Sequence, residues 1–367
     1  MEFNRGTFLL LKTAMIKKER LPIVIFAMFC LLSGLWSGLN RIGWDIALLP
    51  ITAHHGAIMV GGFLGTLIAL EKIIPLKKKS LYLIPVLNAV SVVFFFANQP
   101  RISIYILVIS STSLAFVFLY YFRTQRTIIY ILMLFGAVCW LVGNLLLLTK
   151  LFYPLAFPWW SAFALFIIAA ERLELMKFLP VSKLNKNIFV ALLLCFVVGV
   201  LFSFHGTGNL ICGLSLIGIS LWLMRHDMIA INLKKKNMPK FVAATLLCGY
   251  VALLLTGFFF FSLSDQWLTY DAIVHSFFLG FVFSMIFAHG PIILPGIMGI
   301  PATPFNKILY VWLGVLQISW LARIFADVVV EMDIRKISGL LSAIAILGYF
   351  VTMATLTIRS QQYAQVR

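Results

Sequence analysis

The sequence predicts an all-α, polytopic membrane protein of about twelve transmembrane helices, and three observations predict it. Of 367 residues, 62% are hydrophobic and 11% charged, with a mean hydropathy of +1.04. A soluble domain covers its surface in polar groups and stays nearer half apolar. The apolar residues gather in repeated runs of roughly the 20 residues that carry a helix across a bilayer core. The 29 lysines and arginines, against 12 acids, concentrate in short segments between those runs, which is the topology signal of a membrane protein. Helices are required because hydrocarbon offers no water to open backbone groups, and the runs lack the alternation of a barrel strand.

In chain order the runs fall at 22–39, 51–70, 81–98, 102–122, 128–148, 154–170, 187–204, 208–224, 241–263, 268–288, 308–326 and 337–358. An even number of spans returns both termini to one side. With that side cytoplasmic, only Arg41, Arg101, Lys150, Arg323, Arg335 and Lys336 of the 29 basic residues face outward, while the acids divide evenly. This bias sets a multi-pass orientation in a bacterial inner membrane, both termini cytoplasmic. The net charge of +17 is thereby a topology signal, and no nucleic-acid partner is expected. Residues 1–21 read as a retained cytoplasmic amphipathic segment, since MEFNRGTFLLLKTAMIKKER lacks a small-residue cleavage site. Residues 22–358 form a single integral domain and 359–367 a cytoplasmic tail. The five cysteines sit in apolar runs without close spacing and read as packing residues.

Ionisable residues at membrane depth are functional candidates by default. His54 and His55 open the second run at the outer face, and His275 lies about two turns into the tenth, again from outside. His205 sits at the outer end of the seventh run, and His226 follows the eighth on the inner side. Gly61 and Gly62 lie deeper along the second run and Gly280 deeper along the tenth, leaving bare backbone on which a flat macrocycle can rest. Two imidazoles at matching depth on separate helices are what a bis-histidine haem needs, inside an apolar shell that governs water access. Histidines and glycines in membrane helices also serve as plain packing groups. Asp271, one turn before His275, is placed either to orient that ring or to start a solvated helix. Arg323 and Asp327 are spaced for a local pair, and Arg323 and Arg41 are candidates for haem propionates.

The inner side carries Glu71, then Glu171, Arg172 and Glu174 in AAERLELMKFLP, and His289. These could relay protons or form ion pairs that fix helix ends. His289 follows His275 at a spacing suited to stacked haems, but Ala69 stands at the matching step from His55. One haem is expected.

Two motifs carry a family resemblance. TAHHGAIMV (52–60) resembles the second-helix segment of haem-copper oxidase subunit I, where a similar pattern surrounds a haem ligand; His55 takes that position, with Met59 and Val60 in register. Thr269, Tyr270 and His275 resemble the haem-binding tenth helix of that superfamily. His275, Gly280 and Met285 are similar to a segment of NnrS-type proteins, twelve-helix haem proteins linked to nitric oxide stress. The resemblance implies an oxidase-like bundle, one b-type haem, and a role in electron transfer or nitric oxide and redox stress, with a redox protein or quinol as partner. It implies no copper, because Phe277 stands where the oxidases have a second histidine, the sixth run has none, and the seventh has only His205. Oxygen reduction is not expected. The register aligns His275 with a high-spin ligand, so both a six-coordinate and a five-coordinate, gas-binding haem stay open. The alternative is a haem-free secondary transporter built on the inner Glu and His residues and a helix broken near 290–301 by GPIILPGIMG.

Overall fold

The computed structural model describes residues 19–202, 206–262, 268–300 and 304–366. The described residues are helical and loop in character, without strands. Among the described residues, twelve helices are long and apolar enough to cross a membrane: α1 Leu21–Arg41, α2 Pro50–Leu76, α3 Lys79–Phe96, α4 Pro100–Thr124, α5 Ile128–Lys150, α6 Tyr153–Phe178, α7 Lys183–Leu201, α8 Gly208–His226, α9 Met238–Phe261, α10 Thr269–Met298, α11 Ile308–Val329 and α12 Met332–Ser360. The segment 1–18 and His205 lie outside the described residues. The expected tail at 359–367 instead continues the last helix as far as Val366.

Local chemistry explains the ends. Proline stands in the first turn of α1, α2, α4 and α6, where its missing N–H costs nothing. Ser182 caps α7 by accepting from the Asn185 N–H at 3.2 Å. Gly299, at φ 71°, ends α10 in the left-handed conformation that glycine adopts freely. Short connections make chain neighbours pack side by side, and α12 closes the bundle against α1.

The tenth helix departs from expectation. Residues 290–298 are not broken, because the helix runs through Pro291 and Pro295 to Met298. Neighbouring helices tolerate such prolines where the freed carbonyls are shielded. Both α2 and α10 contain a π-helical stretch instead, Ile58–Gly65 and Ser276–Val282. Each begins within three residues of His55 or His275. A π turn widens the helix and shifts every side chain beyond it around the axis, and such stretches are frequent at functional sites.

Burial singles out three spans. Within their most apolar windows, 67% of α2, 78% of α6 and 61% of α10 are buried, against 33% of α7 at the periphery. The cavities discussed below lie between these three helices.

Candidate functional site

The rings of His55 and His275 are neighbours, with centroids 6.5 Å apart and planes within 19° of parallel. Their orientation is fixed from behind. The His55 Nδ1–H donates to the Gly34 carbonyl at 2.7 Å, and the His275 Nδ1–H donates to the Asp271 carbonyl at 2.8 Å. The Asp271 carboxylate also lies 3.3 Å from His275 Nδ1. With each Nδ1 occupied, each ring offers its Nε2, the arrangement found for metal-bound histidines. Gly38 lets the first ring sit where it does: a Cβ there would lie 2.9 Å from His55 Cε1.

Between and beside the rings is a cavity enclosing about 1470 Å³ of space not filled by atoms, its mouth included. Apolar side chains of α1, α2, α6, α10 and α12 form its walls, among them Met59, Phe63, Phe157, Phe278 and Phe283. Three arginines, Arg41, Arg323 and Arg335, line it as well. Trp44 holds the first loop over this end by donating to the Lys336 carbonyl at 3.1 Å.

The charges form one network. Arg323 and Arg335 each donate to Asp271 Oδ2 at 2.8 Å, and Arg335 Nε donates to Asp327 Oδ1 at 2.8 Å. The expected local pair of Arg323 with Asp327 is therefore not made: Arg323 reaches across to α10, and Arg335 takes its place. Asp271 is the hub of the site, tied to a candidate ligand and two arginines. Arg323 Nε and Asp327 Oδ2 are buried without a partner, which costs about 1–3 kcal/mol each unless a bound group engages them. Arg41 has no ion-pair partner among the described residues.

The remaining expectations fare differently. His54 faces away from His275: its ring stacks on Phe95 at 4.6 Å and its Nδ1 meets the Tyr153 hydroxyl at 2.8 Å, so it is not an alternate ligand in this geometry. Gly61, Gly62 and Gly280 do not line the cavity. They accommodate neighbouring helices, Gly61 against Leu107, Gly62 against Val92 and Cys30, and Gly280 against Ala252 and Trp320. Bare helix surface in a membrane bundle is where neighbouring helices approach most closely, and these three glycines serve that approach. A Cβ at Gly280 would lie 2.7 Å from Ala252 Cβ, an atom fixed to its own backbone. Gly280→Ala is accordingly expected to cost about 1–3 kcal/mol, read as a lower thermal midpoint in detergent.

At the other end of the bundle the expected inner residues do meet. Lys72 bridges Glu71 and Glu171 through their Oε1 atoms at 2.8 and 2.6 Å. Arg172, almost fully buried, contacts His289 Nε2 and lies 3.6 Å from Asp227, which accepts from the Tyr250 hydroxyl. Lys72, Asp227 and Tyr250 were not legible as partners in the sequence, because each reads there as a loop charge or a core aromatic. Replacing Arg172 by Met would leave Asp227 buried with no cation, a loss of about 3–5 kcal/mol. The double variant with Asp227→Asn should recover part of that loss in the same thermal assay.

The fold and these sites define a multi-pass helical membrane protein with two polar centres, one at each end of the bundle. Residues 20–358 match the family model described as domain of unknown function (DUF8744), and the chain belongs to that family. No curated protein matches the sequence. Among the described residues no group of three or more His, Cys, Asp or Glu is placed to hold a metal ion.

Proposed function

We propose that the protein is a b-type haem protein of degenerate haem-copper-oxidase type, with His55 and His275 as axial ligands of one haem. The single observation that carries this reading is the 6.5 Å separation of two nearly parallel imidazoles. A metal-bound imidazole nitrogen sits about 2 Å from the metal, and the ring centroid about 1 Å further back, so trans imidazoles on one iron put their centroids about 6 Å apart. Two lone imidazoles are a poor site for a bare ion, and a macrocycle that supplies four nitrogens completes the set.

The residues present fit such a group. Gly34 and Asp271 hold the two rings by their Nδ1 atoms, and no hydrogen bond among the described residues engages either Nε2. Arg41 and the unpartnered Nε of Arg323 offer donors to two propionates, and Arg335 is a further one. The apolar walls keep water from the metal, which together with the Asp271 charge tunes its potential. A bound haem supplies reversible one-electron transfer. Ligation by both imidazoles leaves no open axial position, so electron transfer is favoured over gas binding, with a redox protein or a quinol as the partner. The orientation follows the charge bias, with the haem near the outer face of a bacterial inner membrane and both termini cytoplasmic. The helix through Pro291 and Pro295 is continuous as far as Met298, which gives the transporter alternative less support than the neighbouring imidazoles give the haem reading.

The test is a reduced-minus-oxidised spectrum and a pyridine haemochrome assay on protein purified from haem-replete cells. A b-type spectrum is expected, and a colourless preparation overturns the reading.

A further inference from the structure

A second cavity lies at the opposite end, between α2, α6 and α10, with about 730 Å³ of space not filled by atoms, its open mouth included. It follows α10 from Val282 to Ile297, about 22 Å at the rise of a helix, so it is a slot suited to a chain more than to a compact solute. Its lining is aliphatic apart from Phe350, Met285 and three ionisable groups, Glu71, Glu171 and His289.

The spare hydrogen-bonding capacity there is of one kind. Both nitrogens of His289 are taken, Nδ1 by the Met285 carbonyl and Nε2 by Arg172. Lys72 occupies Oε1 of each glutamate, while no hydrogen bond among the described residues engages either Oε2. The free groups are therefore acceptors, and an occupant must donate. One lysine against two carboxylates repels an anionic headgroup, and Lys72 already provides the cation at this point. A carboxylate acceptor takes a hydroxyl hydrogen in a bond about twice as strong as a neutral one.

We propose that this inner cavity binds an uncharged, lipid-soluble molecule with hydroxyl donors at its head and an apolar tail. The head meets Glu71 and Glu171 while the tail runs along α10 towards Leu64, Val282 and Ile286, which line both cavities. A hydroquinone with an isoprenoid tail and a diacylglycerol share this chemistry. The inference stands on the inner cavity alone and is independent of the haem reading.

Native mass spectrometry of the purified full-length protein tests it, with a decyl hydroquinone and dioctanoylglycerol as probes. Their O-methylated forms, dioctanoyl phosphatidylglycerol and a decyl trimethylammonium salt serve as controls. Saturable binding of at least one neutral probe is expected, and the tighter of the two identifies the source. O-methylation should weaken binding about tenfold or more, the loss expected when a buried acceptor is left unpaired. Leu67→Trp and Ile293→Trp, which fill the slot separately, should each lower affinity by a similar factor while keeping the parent's haem content and thermal midpoint. Equal binding of methylated and free forms, equal or tighter binding of either charged amphiphile, unchanged affinity in both filled variants, or no saturable binding of either neutral probe would overturn the proposal. All arms can be run on haem-free protein, so failure of the outer-site reading leaves this result interpretable.

Discussion

Protein carrying His55→Gly, purified from haem-replete cells, is expected to retain less than about a tenth of the parent's haem, because loss of even an outer-shell partner weakens metal binding about 10–100-fold. The expectation follows from how the ring is held. Its Nδ1–H donates to the Gly34 carbonyl and its Cε1 packs over Gly38, so removal leaves a void shaped like an imidazole. Imidazole added during expression and purification should enter that void and restore much of the haem band, since the cavity wall and the opposite ligand are unchanged. His275→Gly should lose haem as completely but respond less to added imidazole. There the Asp271 carboxylate that positions the ring becomes free to turn wholly to its arginines. A His55→Gly protein with full haem content would remove His55 from the ligand set.

Asp271→Leu carries the largest expected loss of stability. Two arginines place a guanidinium within 2.8 Å of this one carboxylate, and Arg323 is buried. Without Asp271 both lose their shared counter-charge in a low-dielectric region, and breaking such a buried arrangement from one side costs about 3–5 kcal/mol. The thermal midpoint in detergent should fall sharply and haem should be lost with it. Asp271→Asn keeps the shape and one acceptor, so it should fold and bind haem. Its haem midpoint potential should be higher than the parent's, because a negative charge that favours the oxidised metal has gone. A variant with unchanged stability and unchanged potential would show that Asp271 is a solvated residue at a helix start.

Much of the architecture was legible in the sequence because hydrocarbon imposes simple rules on length and charge. Each of the twelve apolar runs lies within or overlaps a described helix, with the largest shift at the tenth, whose helix continues ten residues further, to Met298. The meeting of His55 with His275 could be read from their matching depth, whereas the motif register aligned His275 with a different ligand position. What could not be read depends on helix pitch. Neither the π stretches at Ile58–Gly65 and Ser276–Val282 nor the packing of Gly61, Gly62 and Gly280 against neighbouring helices shows in the sequence. Local propensity does not announce a π turn, since it arises from packing against neighbours.

The charge networks were hidden for a different reason. Arg335 was counted with the loop charges, yet it joins Asp271 and Asp327 across helices. Spacing within one helix pointed instead to Arg323 with Asp327, because i, i+4 pairing is visible in one dimension and cross-helix pairing is not. Likewise Lys72 follows Glu71 directly, a separation at which helical side chains do not face each other, and it was read only as a topology charge. Its place beside an acid, two residues past the end of an apolar run, is a signal that could have singled it out.

Low-temperature electron paramagnetic resonance of the oxidised, purified protein bears most directly on the neighbouring imidazoles. A single low-spin ferric haem, lost in both His55→Gly and His275→Gly, is the predicted result. A high-spin ferric signal in the parent, or a low-spin signal that survives either substitution, would contradict axial ligation by this pair.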